Sequence, residues 1–147
     1  MPIIAEVSLA YKAAQSVETL PTIASPEEAA SYLRSIWDSD TLEFREEFIV
    51  VLLNNAKNVL GWSRISTGGS TATIVEPTAI FQTALLGKAN SILIAHNHPS
   101  GRKKASTADI TLTKRIKEVG SLLGIPLDDH IILCANGYLS LREEGLM

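Results

Sequence analysis

Cysteine is nearly absent: Cys134 stands alone among 147 residues. A lone cysteine excludes an intrachain disulfide and any zinc site built on paired cysteines. It lies in the apolar run HIILCA and reads as a buried, inert thiol. Long hydrophobic stretches are missing too, since no run approaches the roughly 20 residues of a membrane-spanning helix. The opening MPIIAEVSLAYKAA lacks the basic-then-apolar build of a secretion signal. A cytoplasmic protein without membrane contact is expected. Excess positive charge is absent, the net charge being −3, which argues against indiscriminate phosphate binding. No repeat, low-complexity tract or linker divides the chain. What remains is 46% hydrophobic and 20% charged, the composition and length of one packed domain needing no disulfide or structural metal.

Residues 1–24 are expected to form an N-terminal arm or edge strand around AEVSLAY, ahead of a domain over 25–147. Ser25 is an N-cap, Pro26 sits at the first helical position, and Glu27 and Glu28 follow in the first turn. Ala29, Ala30, Leu33, Ile36 and Trp37 then recur at helical spacing. FIVVLLN is short, continuously apolar and rich in β-branched residues, which predicts a strand buried on both faces. NNAKN turns into a second strand, VLGWSRIS, and TATIV adds a short extended piece. Pro77 opens a helix that stops near Gly87, and SILIA is the next buried strand. Ser106 caps a long helix ended by Gly124 and Pro126. HIILC, Asn136-Gly137 and YLSL spell a closing hairpin. The order α-β-β-α-β-α-β-β predicts an α/β domain, a mixed β-sheet with helices on its faces.

The stretch AHNHPSGRKKASTAD, from Ala95 to Asp109, sits at a strand–loop–helix joint. Residues i and i+2 of a strand point the same way, so His96 and His98 can converge on one ion. Asp109 falls in the first turn of the following helix and can face back toward them. Two imidazoles and a carboxylate leave a fourth position open for water, as in catalytic zinc sites. Separately, the fragments are ordinary: His-x-His occurs without metal, and Ser-x-x-Asp is a common capping signature. Their joint arrangement points to a metal site. Such a site needs a base, and Glu46 and Glu47 stand at the start of the strand that should neighbour SILIA. Alternation lets only one of them face the site, and periodicity does not choose because both faces of that strand are apolar.

His96-Asn97-His98-Pro99, a seven-residue gap, then Ser106-Thr107-Ala108-Asp109 resembles the signature of the JAMM (MPN/JAB) metalloprotein family. More closely, AHNHPSG, the helix beginning at Ser106 and the later DHII resemble the JAB domain of RadC-like bacterial proteins, over roughly residues 26 to 142. The resemblance implies a cytidine-deaminase-like α/β sandwich and one Zn2+ per chain held by His96, His98 and Asp109. It implies that Ser106 hydrogen-bonds to bound water or to the developing oxyanion. It selects Glu46 as the acid, because the family places an aromatic two positions later and Phe48 stands there. Deaminases of similar fold use cysteine ligands that this chain lacks, so base deamination is disfavoured. Longer RadC-like proteins carry an N-terminal helix-hairpin-helix region. No such signature precedes the first helix, so a short form without it is expected. His130 is expected to support the site or the core rather than to ligate.

The resulting expectation is a zinc-dependent hydrolase, a metallopeptidase or isopeptidase of JAMM type acting on a peptide or protein. Two alternatives belong to other classes. One is a DNA-associated protein with a metal site, in which the basic segment from Arg102 to Lys117 contacts phosphates; its binding should weaken steeply with salt. The other is a non-catalytic MPN interaction module. Such members lose the metal ligands, whereas this chain retains the full set. No motif specifies an oligomeric state.

Overall fold

Apolar runs of four to six residues are too short to pack as helices and too continuous to face water, so they pair in the interior. The computed structural model describes residues 5–8, 10–12, 17–67 and 75–147. The FIVVLL segment becomes β1 (Glu47–Leu53), every residue of which is buried, and SILIA lies in β3 (Ser91–Asn97), equally buried. With β2 (Val59–Thr67), β4 (Leu127–Cys134) and β5 (Gly137–Ser140) they form one sheet in the order β2-β1-β3-β4-β5. The β3–β4 pair is parallel and the other neighbours are antiparallel. A parallel pair needs a crossover, which is supplied here by α3 (Thr107–Leu123).

Alternation sorts the strand residues onto two faces. Ile49, Val51, Leu53, Leu93, Ala95, Ile131 and Leu133 pack with Ala29, Ala30 and Leu33 of α1 (Pro26–Ile36). Phe48, Val50, Leu52, Ile92 and Ile94 pack with Ile80, Phe81 and Ala84 of α2 (Pro77–Leu86) and Ile116 of α3. Each large side chain so buried contributes about 1.5–3 kcal/mol. Local signals hold the helices in place. Ser25 accepts from Glu28 N at 3.2 Å, and Glu28 returns a carboxylate to Ala24 N at 2.6 Å. Gly124 ends α3 at φ +72°, in the left-handed region.

The expected element order is the observed one. The largest boundary differences are that β3 runs on to include His96 and Asn97, and that β4 begins at Leu127 rather than His130. Asp128 and Asp129 thus belong to the strand, Asp129 accepting from His130 N, Ser140 Oγ and Arg142 N. The extended piece expected at TATIV lies, but for Val75, outside the described residues. In the N-terminal segment, residues 5–8 and 10–12 are exposed and form no strand, while Thr22 makes an isolated bridge to Asn58. No helix among the described residues is long and apolar enough to cross a membrane.

Candidate metal centre

His96 is the penultimate residue of β3, opposite Phe48 of β1, whose ring stacks on the imidazole at 6.1 Å between centroids and 4° between planes. One residue past the strand, His98 stays tied to the sheet through its N–H to Leu133 O at 3.0 Å. Pro99 and Ser100 then turn the chain, closed by Gly101 N to His98 O at 3.0 Å, with Gly101 at φ +79°. That turn returns the Arg102 carbonyl to 2.8 Å from His98 Nδ1. Ser106 caps α3 with a full capping box: its Oγ accepts from Asp109 N at 3.0 Å, and Asp109 Oδ2 accepts from Ser106 N at 2.8 Å. The hydroxyl proton of exposed Ser106 has no acceptor among the described residues.

The capping carboxylate also meets both imidazoles. Asp109 Oδ1 lies 3.3 Å from His96 Nε2, Oδ2 lies 3.4 Å from His98 Nε2, and the two Nε2 atoms are 2.9 Å apart. A carbonyl cannot donate, so the contact to Arg102 O puts a proton on His98 Nδ1 and leaves Nε2 as a lone pair in the neutral ring. At His98 and Asp109 acceptor therefore faces acceptor, a contact that a cation or a proton between them would relieve. Two nitrogens and a carboxylate oxygen suit zinc, whose tetrahedral sites take this donor chemistry. The side chains of His98 and Asp109 are 17% and 15% exposed against 2% for His96, so the set opens to solvent on one side.

Charge follows the geometry. Pairing with Asp109 raises the basicity of His98 despite its burial, with smaller upward contributions from the Arg102 carbonyl and the charges of Asp109 and Glu46. Burial alone would raise the Asp109 carboxyl, but the adjoining imidazoles of His96 and His98 and the Ser106 N–H outweigh it and hold the group far below the ordinary carboxylate range. His130, fully enclosed and beside His96, is pushed well below the ordinary imidazole value, burial being the larger cause.

The two glutamates separate by face. Glu47 is buried on the α1 side, its carboxylate held by Arg45 Nε at 3.1 Å and Arg64 Nε at 2.7 Å. Glu46 is half-buried, and alternation from Phe48 places it on the His96 face, near enough for its charge to act on His98. Asn97 holds this arrangement. Its Oδ1 accepts from Glu47 N at 2.7 Å, and its Nδ2 donates to Leu42 O at 2.6 Å and Arg45 O at 2.9 Å. The peptide groups flanking Glu46 are thereby bound to the residue between the two histidines.

Sequence reasoning passed over Asn97 and Thr113. The first was signalled by alternation, which turns the middle residue of His-x-His to the opposite face. The second lies four residues after Asp109, one helical turn along the same side. His130, left open by the sequence, makes its Nε2 contact with His96 Nδ1, at 2.7 Å, outside the donor set. Of the basic segment, Arg102, Lys103 and Lys104 lie in the loop beside the centre, and Lys114, Arg115 and Lys117 follow on α3; all are exposed.

Comparison with known proteins matches residues 23–146 to the family model of the RadC-like JAB domain. A UPF0758 protein of Clostridium acetobutylicum is 40% identical over 139 residues, 94% of this chain and 57% of that protein. One from Clostridium beijerinckii is 37% identical over 145 residues, 98% of this chain and 62% of the relative. One from Rubrobacter xylanophilus is 39% identical over 128 residues, 86% and 54% respectively. The chain thus spans between 54% and 62% of the length of these relatives. Matched over nearly its whole described domain, the chain belongs to the RadC-like JAB domain family.

Proposed function

We propose that this domain is a zinc-dependent hydrolase of peptide or isopeptide bonds, holding one Zn2+ through His96, His98 and Asp109. The observation that carries the reading is the convergence of His96 Nε2, His98 Nε2 and the Asp109 carboxylate within 3.4 Å of one another, open on one side. Held by these three residues, a zinc ion would supply Lewis acidity toward water and a substrate carbonyl. The remaining work falls to side chains of the chain. Glu46 accepts a proton from the attacking water and returns one to the leaving amine. Ser106, with its hydroxyl proton uncommitted, donates to the oxygen that gains charge. Glu47 takes no part: it lies on the opposite face, each carboxylate oxygen held by an arginine.

Metal analysis of protein purified without chelator tests the assignment. One zinc per chain is expected, with none in His98→Ala. Peptide-library cleavage that stops on chelation and resumes with zinc is the matching activity result, and stoichiometric zinc in His98→Ala would refute the ligand set. The exposed cations Arg102, Lys103 and Lys104 beside the centre support a second reading, contact with nucleic acid. Salt-sensitive nucleic-acid binding that survives His98→Ala would favour it. The intact ligand set speaks against a purely structural interaction module.

A further inference from the structure

His130 is fully buried on β4, its ring between Thr113 of α3 and His96 of β3. Its Nδ1 lies 2.6 Å from Thr113 Oγ1, and its Nε2 lies 2.7 Å from His96 Nδ1. Proton counting gives each bond a direction. Thr113 Oγ1 also lies 2.6 Å from the carbonyl oxygen of Asp109. A carbonyl only accepts, so the single hydroxyl proton of Thr113 occupies that contact. Thr113 must then accept from His130 Nδ1–H. Neutral His130, protonated on Nδ1, presents Nε2 as a lone pair, and His96 Nδ1–H donates to it. His96 is left with a bare Nε2, the atom that faces His98 and Asp109.

We infer that Thr113 and His130 are positioning residues, a relay that holds His96 in the tautomer able to ligate a cation. The relay begins on the backbone carbonyl of Asp109 and ends on His96, so two members of the donor set are joined through α3 and β4. It rests on the metal reading above and deepens it. Ligating histidines commonly have the far ring nitrogen fixed by a carboxylate or a backbone carbonyl. His98 follows that pattern with Arg102 O. At His96 the surroundings are core, Phe48 packing on both His96 and His130, and a buried carboxylate there would be costly to desolvate. A neutral imidazole and a hydroxyl fix the tautomer without placing a charge in the core.

Histidine labelled with 15N in the zinc-loaded wild-type chain reports which ring nitrogens carry protons. His130 protonated on Nδ1 alone and His96 protonated on Nδ1 are expected; His130 protonated on Nε2 would overturn the relay. Zinc affinity, read by competition with a chromophoric chelator, should fall about tenfold to a hundredfold in Thr113→Val, which keeps the volume and loses the hydroxyl. Thr113→Ser should restore it. A hydroxyl that serves only packing would change the unfolding midpoint of Thr113→Val and leave zinc affinity untouched. That outcome, in a wild type that binds zinc, overturns the relay alone. A wild type that takes up no stoichiometric zinc overturns the metal reading and the relay with it.

Discussion

The α1 face of the sheet and its α3 face both bury polar groups, and they treat them in opposite ways. On the α1 face, Glu47 accepts from Arg45 and Arg64, Asn97 serves Glu47 N, Leu42 O and Arg45 O, and Asp129 accepts from two backbone amides and a hydroxyl. On the α3 face, His96 Nε2 and His98 Nε2 lie 2.9 Å apart beside a carboxylate, and the protein supplies that set one backbone donor, Ser106 N. Leaving a buried polar group unpaired costs about 1–3 kcal/mol. The α1 face thus pairs its polar groups within the protein, whereas the α3 face sets acceptor against acceptor. The contrast also separates the two glutamates: Glu47 is buried and paired with two arginines, while Glu46 is half-buried.

Removing both imidazoles from the α3 face should have the largest effect. The His96→Ala, His98→Ala double variant should hold no zinc and hydrolyse nothing, as elemental analysis and a peptide assay would register. A fully loaded double variant would show that the acceptor cluster is not the ion's place. His98→Ala is the gentler form, since His96 also packs on Phe48 and bonds to His130.

On the opposite face the matching change is Asn97→Asp. Its shape is kept, but an oxygen replaces the Nδ2 that serves Leu42 O and Arg45 O. Stability should fall by about 3 kcal/mol, from two carbonyls left facing a carboxylate, read as a shift of the urea midpoint. Turnover should fall as well, because the backbone flanking Glu46 loses its tether. An unchanged midpoint would mean that this clamp carries no load.

Glu46→Gln and Glu47→Gln sharpen the contrast within one dipeptide. The first should lower hydrolysis by about a hundredfold, the weight of a general base, with zinc content and the urea midpoint unchanged. The second should do the reverse, costing about 1.5–3 kcal/mol through weakened charge-assisted bonds at nearly normal rate. If Glu47→Gln is the variant that loses rate, the two faces have been interchanged.

The smallest effect belongs to Ser106, where a cap and a catalytic donor share one hydroxyl. Ser106→Ala should lose about 0.5–2 kcal/mol of stability and about tenfold in rate, below the usual hundredfold for a lost oxyanion donor because water reaches this exposed position. Ser106→Asp keeps the cap and adds a negative charge. It should unfold like the wild type and turn over slowly; a wild-type rate would reduce Ser106 to a helix cap.

The sequence by itself determined whatever depends on neighbours along the chain. Helix ends were legible because Ser25, Pro26, Ser106 and Gly124 act within a turn of where they stand. The buried strands were legible because short continuous apolar runs rich in β-branched residues suit a sheet covered on both sides. The grouping of His96, His98 and Asp109 was legible because one strand–loop–helix joint brings them together. Only the tertiary structure decided what depends on a partner from elsewhere. Glu46 and Glu47 could not be told apart by periodicity, since β1 is apolar on both faces; the pairing of Phe48 with His96 and the two arginines on Glu47 settle which face each takes. Asn97 reaches the residues around Glu46 across the β1–β3 pairing, and His130 meets His96 and Thr113 across β4 and α3. Hydrogen bonds of this kind leave no periodic trace, because their spacing is set by how strands and helices stack rather than by the repeat of either.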